Sequence, residues 1–137
     1  MNNIIRFVYM SQSHGLLSEA QVEEIVAISE KNNKSNDITG MLFYKGGYFL
    51  QVLEGESINV YYTFKKIRDD KRHHTIKLLD SDVINNRIFN NWSMAYKPSS
   101  AFSGSQIVEI EKIWAHPTNN NFDLLARLGK FYLDQGK

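Results

Sequence analysis

The spacing of hydrophobic residues predicts that the chain begins with a strand followed by a helix. Residues 4–11 are rich in β-branched and aromatic side chains that alternate between two faces. One face carries Ile5, Phe7 and Tyr9. Ser18 and Gln21 have the spacing of a capping box, and apolar residues then recur at helical intervals until Asn32-Asn33.

A hairpin is predicted next. Residues 37–44 and 48–53 are both strand-like, and Lys45-Gly46-Gly47 separates them. Because glycine readily adopts the positive φ of a tight turn, the two strands should pair antiparallel.

A second helix and two more strands follow the hairpin. Ser57 can cap the helix, whose apolar residues repeat at helical spacing up to the charged segment 68–72. Residues 75–83 and 92–96 are predicted to form the fourth and fifth strands.

This order of elements is typical of an α+β fold, the ferredoxin-like βαββαβ(β) sheet. Its first and third strands are central neighbours in an antiparallel sheet, and both helices cover one face. Two amphipathic patterns, separated by Pro117, follow in residues 99–137. The first carries Ile107, Val108, Ile110 and Trp114, and the second Phe122, Leu125, Leu128, Phe131 and Tyr132. We expect these helices to cover the other face of the sheet or a partner subunit.

Two polar side chains fall on apolar faces of the predicted sheet. Strand alternation places Gln51 with Phe49 and Leu53, and a buried amide needs hydrogen-bond partners. Tyr9 has the same character, and adjacent first and third strands would let it bond to Gln51. The alternation alone leaves open that Gln51 faces solvent, or that the Tyr9 hydroxyl reaches water.

Composition narrows the possible functions. The chain has 137 residues, a formal net charge of +1 and no cysteine. Disulfides, thiolate metal sites and a cysteine nucleophile are therefore excluded, and the net charge provides no overall electrostatic attraction to nucleic acid or anionic lipid. We found no phosphate-loop, dinucleotide or nucleophile-elbow motif, no membrane-length apolar run and no signal peptide. We expect a cytoplasmic protein that is not an enzyme.

Several other polar residues have simple structural explanations. Asn32-Asn33 is typical of a helix C-terminus. His73 and His74 point to opposite sides of a strand, which argues against a metal site. The charged residues between 65 and 72 resemble a solvated helix end, although the basic ones could also meet a phosphate.

Five segments in order nevertheless resemble the BLUF family, the blue-light sensors that use FAD. They are Arg6-Phe7-Val8-Tyr9-Met10-Ser11, Asn32-Asn33, Asp37-Ile38-Thr39-Gly40-Met41-Leu42-Phe43-Tyr44, Phe49-Leu50-Gln51-Val52-Leu53-Glu54-Gly55 and Asn91-Trp92-Ser93-Met94. The likeness spans residues 3 to 98 and implies a flavin-binding domain over 1–98, with 99–137 as a helical extension for capping, oligomerisation or signal output.

The resemblance implies roles for four residues in photochemistry. Tyr9 matches the tyrosine that gives an electron and a proton to the excited flavin, and Gln51 the glutamine that then rotates or tautomerises. Trp92 and Met94 match a fifth-strand pair linked to signalling. Which residue of this pair faces the flavin is disputed within the family.

The resemblance also implies how the flavin is held. Asn33 matches the residue that fixes the O4 and N3 edge of the ring, and Asn32 its neighbour. The remaining contacts would come from Ile25, Phe49, Leu53, Lys66, Ile67, Asp70 and His73. Lys66 stands where arginine is common, so it keeps the charge without the bidentate fork.

We therefore predict a short blue-light photoreceptor that binds FAD non-covalently and has no output domain of its own. It would signal through a downstream protein or a change of assembly, as a homo-oligomer. Residues 45–52 also loosely resemble the RNP1 strand of an RNA-recognition module, which shares this order of elements. An RNA-binding or protein-interaction module without flavin is therefore the alternative.

Overall fold

A computed structural model describes residues 3–115 and 129–130 of the chain. Its strands are β1 (Ile4–Ser13), β2 (Thr39–Lys45), β3 (Tyr48–Glu56), β4 (His73–Ile84) and β5 (Ala95–Tyr96). Its helices are α1 (Glu19–Ser35), α2 (Ser57–Arg68), a 3-10 turn at Ser99–Ala101 and α3 (Gly104–Ala115).

The strands form one sheet in the order β4-β1-β3-β2-β5, which confirms the predicted α+β architecture with β1 and β3 as central neighbours. The strands β1 to β4 pair antiparallel, whereas β5 pairs parallel with β2. The sheet is therefore mixed rather than purely antiparallel.

Local chemistry explains where the elements begin and turn. The side chains of Ser18 and Gln21 form the predicted capping box at the start of α1. Gly46 and Gly47 both have positive φ in the hairpin between β2 and β3, as predicted. Ser57 does not cap α2: it is the first helical residue, and Glu56 precedes it without a side-chain cap.

The predicted fifth strand is wrong over most of its length. Residues 92–96 alternate like a strand, but only Ala95 and Tyr96 pair with β2. Just before them, the Trp92 N–H donates to the Phe89 carbonyl at 3.0 Å and closes a turn. Trp92 and Met94 consequently lie on the approach to β5 rather than within it.

Both faces of the sheet are covered. The side chains of α1 and α2 bury one face, in clusters that contain Phe7, Tyr9, Phe49 and Leu53. The second face packs against Phe102, Ile107 and Ile110, so α3 covers the sheet as predicted. The buried members of this second cluster are Val8, Met41, Phe43, Leu50, Val52, Leu79, Phe89, Ala95, Phe102 and Ile110.

The described residues include only part of the predicted C-terminal helices. Val108, which was assigned to the apolar stripe of α3, is 53% exposed. The Trp114 side chain and the predicted helix containing Phe122, Leu125, Leu128, Phe131 and Tyr132 lie outside the described residues. Gly129, which is described, lies against Ile88 so closely that a Cβ there would overlap the Ile88 side chain. No helix in the described ranges is long and apolar enough to cross a membrane.

Candidate functional site: a cleft between the two helices

A cleft opens between α1 and α2 over the centre of the sheet. It encloses about 410 Å³, a volume that includes space open to solvent. Its inner part is lined by Ser11, Ile25, Ser29, Leu42, Phe49, Gln51, Ile67, Asp70, Arg72 and His73. An outer part continues along Ile28, Asn32, Asn33, Asn36, Thr63 and Lys66.

Tyr9 and Gln51 meet at the floor of this cleft. They are direct cross-strand partners on β1 and β3, and the Tyr9 hydroxyl donates a hydrogen bond to Gln51 Oε1. Tyr9 is fully buried and Gln51 is 6% exposed, so both face the helices rather than water. Burial raises the pKa of Tyr9 well above its ordinary value, and the charge of Asp70 raises it further.

Met94 contacts the other end of the Gln51 side-chain amide. The Gln51 side-chain nitrogen lies 3.9 Å from Met94 Sδ, a weak acceptor. Met94 is buried with Leu42 and Phe49 on the helix-covered face. Trp92 packs instead against the cluster on the second face. Of the two residues, the structure therefore brings Met94 to Gln51.

Asn33 connects the cleft to the segment that contains Ser93 and Met94. Its side chain is 2% exposed, and its amide nitrogen donates to the Ser93 carbonyl at 2.8 Å. Its own carbonyl accepts from the Ile38 N–H at 2.8 Å, so α1 and the start of β2 are joined at this residue. Asn32 is exposed and borders the outer part of the cleft.

The charged residues lie at the end of the cleft formed by the C-terminus of α2 and the start of β4. Asp70 accepts bidentate bonds from the Arg72 guanidinium, which holds the pKa of that carboxyl below its ordinary value. Lys66 lies on the wall, and its ammonium group is 5.5 Å from the ring centre of Tyr62.

Both ring nitrogens of His73 are already engaged. Nε2 donates to the Ile67 carbonyl at 2.6 Å, because a carbonyl oxygen can only accept. Nδ1 therefore accepts from Ser11 Oγ at 2.8 Å. His73 borders the cleft, but in this arrangement its ring nitrogens hold α2 to the sheet instead of offering a bond to a ligand.

Most residues expected around the flavin reach the cleft, but Leu53 does not. Leu53 is fully buried beside Tyr9, in the cluster that contains Ile38 and Val60 beneath α2. Conversely, Ser11, Ser29, Leu42 and Arg72 line the cleft and had not been assigned to it. The sequence had indicated a phosphate contact for the basic residues between 65 and 72 as a group, without distinguishing Arg72. Leu42 lies opposite Gln51 in the pairing of β2 with β3.

The arrangement fits a flat aromatic ligand with a charged tail. Ile25 and Ile67 supply apolar walls, and the basic groups Lys66 and Arg72 lie at one end. Within the described contacts, the amide nitrogen of Gln51 bonds only to the Met94 sulfur, which leaves donor capacity beside the cleft. No group of three or more His, Asp or Glu residues in ranges 3–115 and 129–130 could hold a metal ion.

A fold and cleft of this kind define a domain that can bind a small molecule between its two helices. The family model described as "Sensors of blue-light using FAD" matches residues 4–95. The chain therefore belongs to the BLUF family, as its sequence segments indicated.

The chain is similar to short parts of two longer proteins. The chain is 34% identical over 88 residues to photoactivated adenylate cyclase subunit alpha of Euglena gracilis, covering 64% of this chain and 9% of that protein. It is 35% identical over 74 residues to the blue light- and temperature-regulated antirepressor BluF of Escherichia coli K12, covering 54% of this chain and 18% of that protein. It thus matches less than a fifth of the length of either relative.

The chain is also similar to solved structures. The dark-state structure of BlrB, a BLUF protein, superposes with a TM-score of 0.80 at 25% identity and covers 98% of both chains. BlrP1 of Klebsiella pneumoniae, solved with FMN and cyclic diGMP, superposes with a TM-score of 0.72 at 27% identity. The match covers 97% of this chain and 35% of BlrP1.

Proposed function

We propose that the cleft binds FAD non-covalently, with the flavin ring between α1 and α2 and above Gln51. The observation that carries this proposal is the buried chain from Tyr9 through Gln51 to Met94 at the cleft floor. An amide buried between a phenol and a thioether has no evident packing role, whereas it suits a ring that offers hydrogen-bond acceptors.

The residues that line the cleft support a set of proposed contacts to the cofactor. Ile25 and Ile67 would hold the faces of the ring, and Phe49 and Leu42 would support it from the sheet. Asn33 and Asn32 would bind its polar edge. Lys66 and Arg72 would meet the phosphates, with Asp70 holding the Arg72 guanidinium in place. FAD rather than FMN belongs to this proposal, since the family description names the first.

The dark state keeps a proton on Tyr9. Its raised pKa and its bond to Gln51 Oε1 both favour the neutral phenol. A flavin bound here and excited by blue light would supply an acceptor for one electron and one proton. Tyr9 would give up both and later recover both, so that the lasting change would be the rearrangement of the Gln51 amide, by rotation or tautomerisation. A stronger bond from that amide to the flavin carbonyl would lower the excitation energy and shift the flavin absorption slightly to the red.

The signal would leave the cleft through residues 92–96. Gln51 contacts Met94, and Asn33 holds the Ser93 carbonyl, so both proposed flavin contacts touch this segment. Gly129 lies against Ile88, which is in the connection between β4 and β5 that leads to this segment. We propose that this extension passes the change to a downstream protein or to a second copy of the chain, and that residues 1–98 perform no enzymatic reaction.

Absorption spectroscopy tests the proposal directly. The purified protein should show a flavin spectrum that moves slightly to the red after blue illumination and recovers in darkness. Flavin released by denaturation and separated by chromatography would distinguish FAD from FMN. A flavin spectrum that never shifts would contradict the roles of Tyr9 and Gln51. A colourless protein that binds single-stranded RNA with strong salt dependence would favour the RNA-binding alternative.

A further inference from the structure

Glu54 is a fully buried carboxyl group that the proposed photochemistry does not use. It lies on β3 three residues after Gln51, with its side chain on the opposite face of the sheet. Burial raises its pKa, although the bonds that it accepts and the charge of Arg87 act in the opposite direction. A buried carboxyl is costly, so its contacts indicate what it stabilises.

The contacts of Glu54 converge on the connection between β4 and β5. Oε2 accepts a hydrogen bond from the Ile88 N–H at 2.7 Å, and Oε1 accepts from the Phe89 N–H at 3.0 Å. The Thr39 hydroxyl also donates to Oε1, at 3.0 Å, and Arg87 in turn donates to that hydroxyl at 3.2 Å. One side chain thus holds two consecutive amides of the connection to the sheet.

These amides begin a continuous chain of contacts that ends at the cleft. The Phe89 carbonyl accepts from the Trp92 N–H at 3.0 Å, and the Trp92 carbonyl accepts from the Gly40 N–H at 3.1 Å. Ser93 is then held by Asn33, and Met94 reaches Gln51. Residues 88–94 are therefore fixed at one end by Glu54 and at the other by the cleft.

We propose that Glu54 is a positioning residue that sets residues 88–94 so that Met94, and not Trp92, contacts Gln51. The inference rests on the proposed role of Gln51 as the switch. Loss of the Ile88 and Phe89 bonds would free the start of the segment, and Trp92 could then leave the second face. Because Ile88 also contacts Gly129, the same bonds set the position at which the C-terminal extension meets the domain.

The test compares Glu54→Gln with Glu54→Asp and with Val8→Ala, all made in a Trp114→Phe background so that Trp92 is the single tryptophan. The Ile88 and Phe89 N–H groups bond to different oxygens of Glu54, and in Glu54→Gln one of these oxygens becomes an NH2 group that cannot accept, so one of the two bonds is lost. Val8→Ala opens a cavity in the same core cluster but leaves every hydrogen bond of the segment in place.

Two readouts separate positioning from simple destabilisation. The first is quenching of Trp92 emission by acrylamide in the flavin-free protein, which should rise in Glu54→Gln and remain unchanged in Val8→Ala. The second is dark recovery of the flavin-loaded protein, which should accelerate about threefold to tenfold in Glu54→Gln, the factor expected for one lost hydrogen bond. Glu54→Asp, which keeps the charge with a shorter reach, should fall between Glu54→Gln and the parent.

The outcomes are decisive in each case. Unchanged quenching and recovery in Glu54→Gln, with a thermal midpoint lowered as in Val8→Ala, would overturn the proposal. Should Glu54→Gln fail to fold, the same comparison is made with Glu54→Asp, for which parental quenching and recovery would count against positioning. A parent protein without a red shift would contradict the proposed photocycle, while the flavin-free quenching would still test the position of Trp92.

Discussion

The Tyr9 hydroxyl donates to Gln51 Oε1 across the two central strands, at the buried floor of the cleft. The bond fixes one end of the Gln51 amide and directs its nitrogen toward Met94. Any event that removes the Tyr9 proton removes the only described partner of the amide oxygen. The geometry therefore couples the state of the phenol to the orientation of the amide.

Replacing Gln51 by Ala should abolish the red shift while flavin stays bound. The cleft walls and the basic groups at its end remain intact, so the absorption spectrum should still be that of a bound flavin. The buried Tyr9 hydroxyl loses its partner, and the free energy of unfolding should fall by about 1–3 kcal/mol. Gln12→Ala, at the end of β1, removes an amide away from the cleft and should keep the shift. A normal shift in Gln51→Ala would refute the switch.

Met94 and Trp92 should respond differently to substitution. Met94→Leu conserves volume but removes the sulfur that contacts the Gln51 nitrogen, so dark recovery should change severalfold. Trp92→Phe alters a side chain on the second face and should change recovery much less. Recovery is followed by absorbance after a blue flash. A larger effect of Trp92→Phe than of Met94→Leu would mean that Trp92, rather than Met94, controls the amide.

Gly40→Ala should destabilise the domain strongly. A Cβ at Gly40 would overlap the Val52 carbonyl oxygen on the neighbouring strand, and backbone cannot move aside easily. The Gly40 N–H also holds the Trp92 carbonyl. We expect a loss of about 3 kcal/mol, measured by urea unfolding. Gly104→Ala is the matched control, since nothing lies within 4 Å of its Cβ. Equal stability of the two variants would argue against close packing at Gly40.

Stability should decline at alkaline pH. Burial raises the pKa of Tyr9, and it raises that of Tyr96 to about 12. Because the unfolded chain releases these protons near pH 10, the stabilisation is complete below that pH and is lost as the pH rises toward the folded-state values. Urea unfolding between about pH 8 and pH 11 measures the slope. Tyr9→Phe should flatten it relative to the parent, and an unchanged slope would mean that Tyr9 ionises freely.

Much of the fold follows from local patterns, because strand alternation and helical spacing reflect burial directly. The neighbourhood of Tyr9 and Gln51 could be predicted once the order of strands was known. The turn at Phe89–Trp92 could not, since its hydrogen bonds join backbone atoms and the sequence still alternates like a strand. Arg72 was missed for a different reason: its run of charges resembles a solvated helix end, and only the bond to Asp70 aims it at the cleft.

The second face of the sheet has a consequence for how the domain can be reused. Phe102, Ile107 and Ile110 cover it through apolar packing, and the exposed Lys45–Glu111 ion pair adds little. Such packing requires only an amphipathic helix of suitable shape, whereas the cleft requires individual residues at fixed positions. Under the proposed function, one covering helix could therefore replace another without changing any residue that lines the cleft.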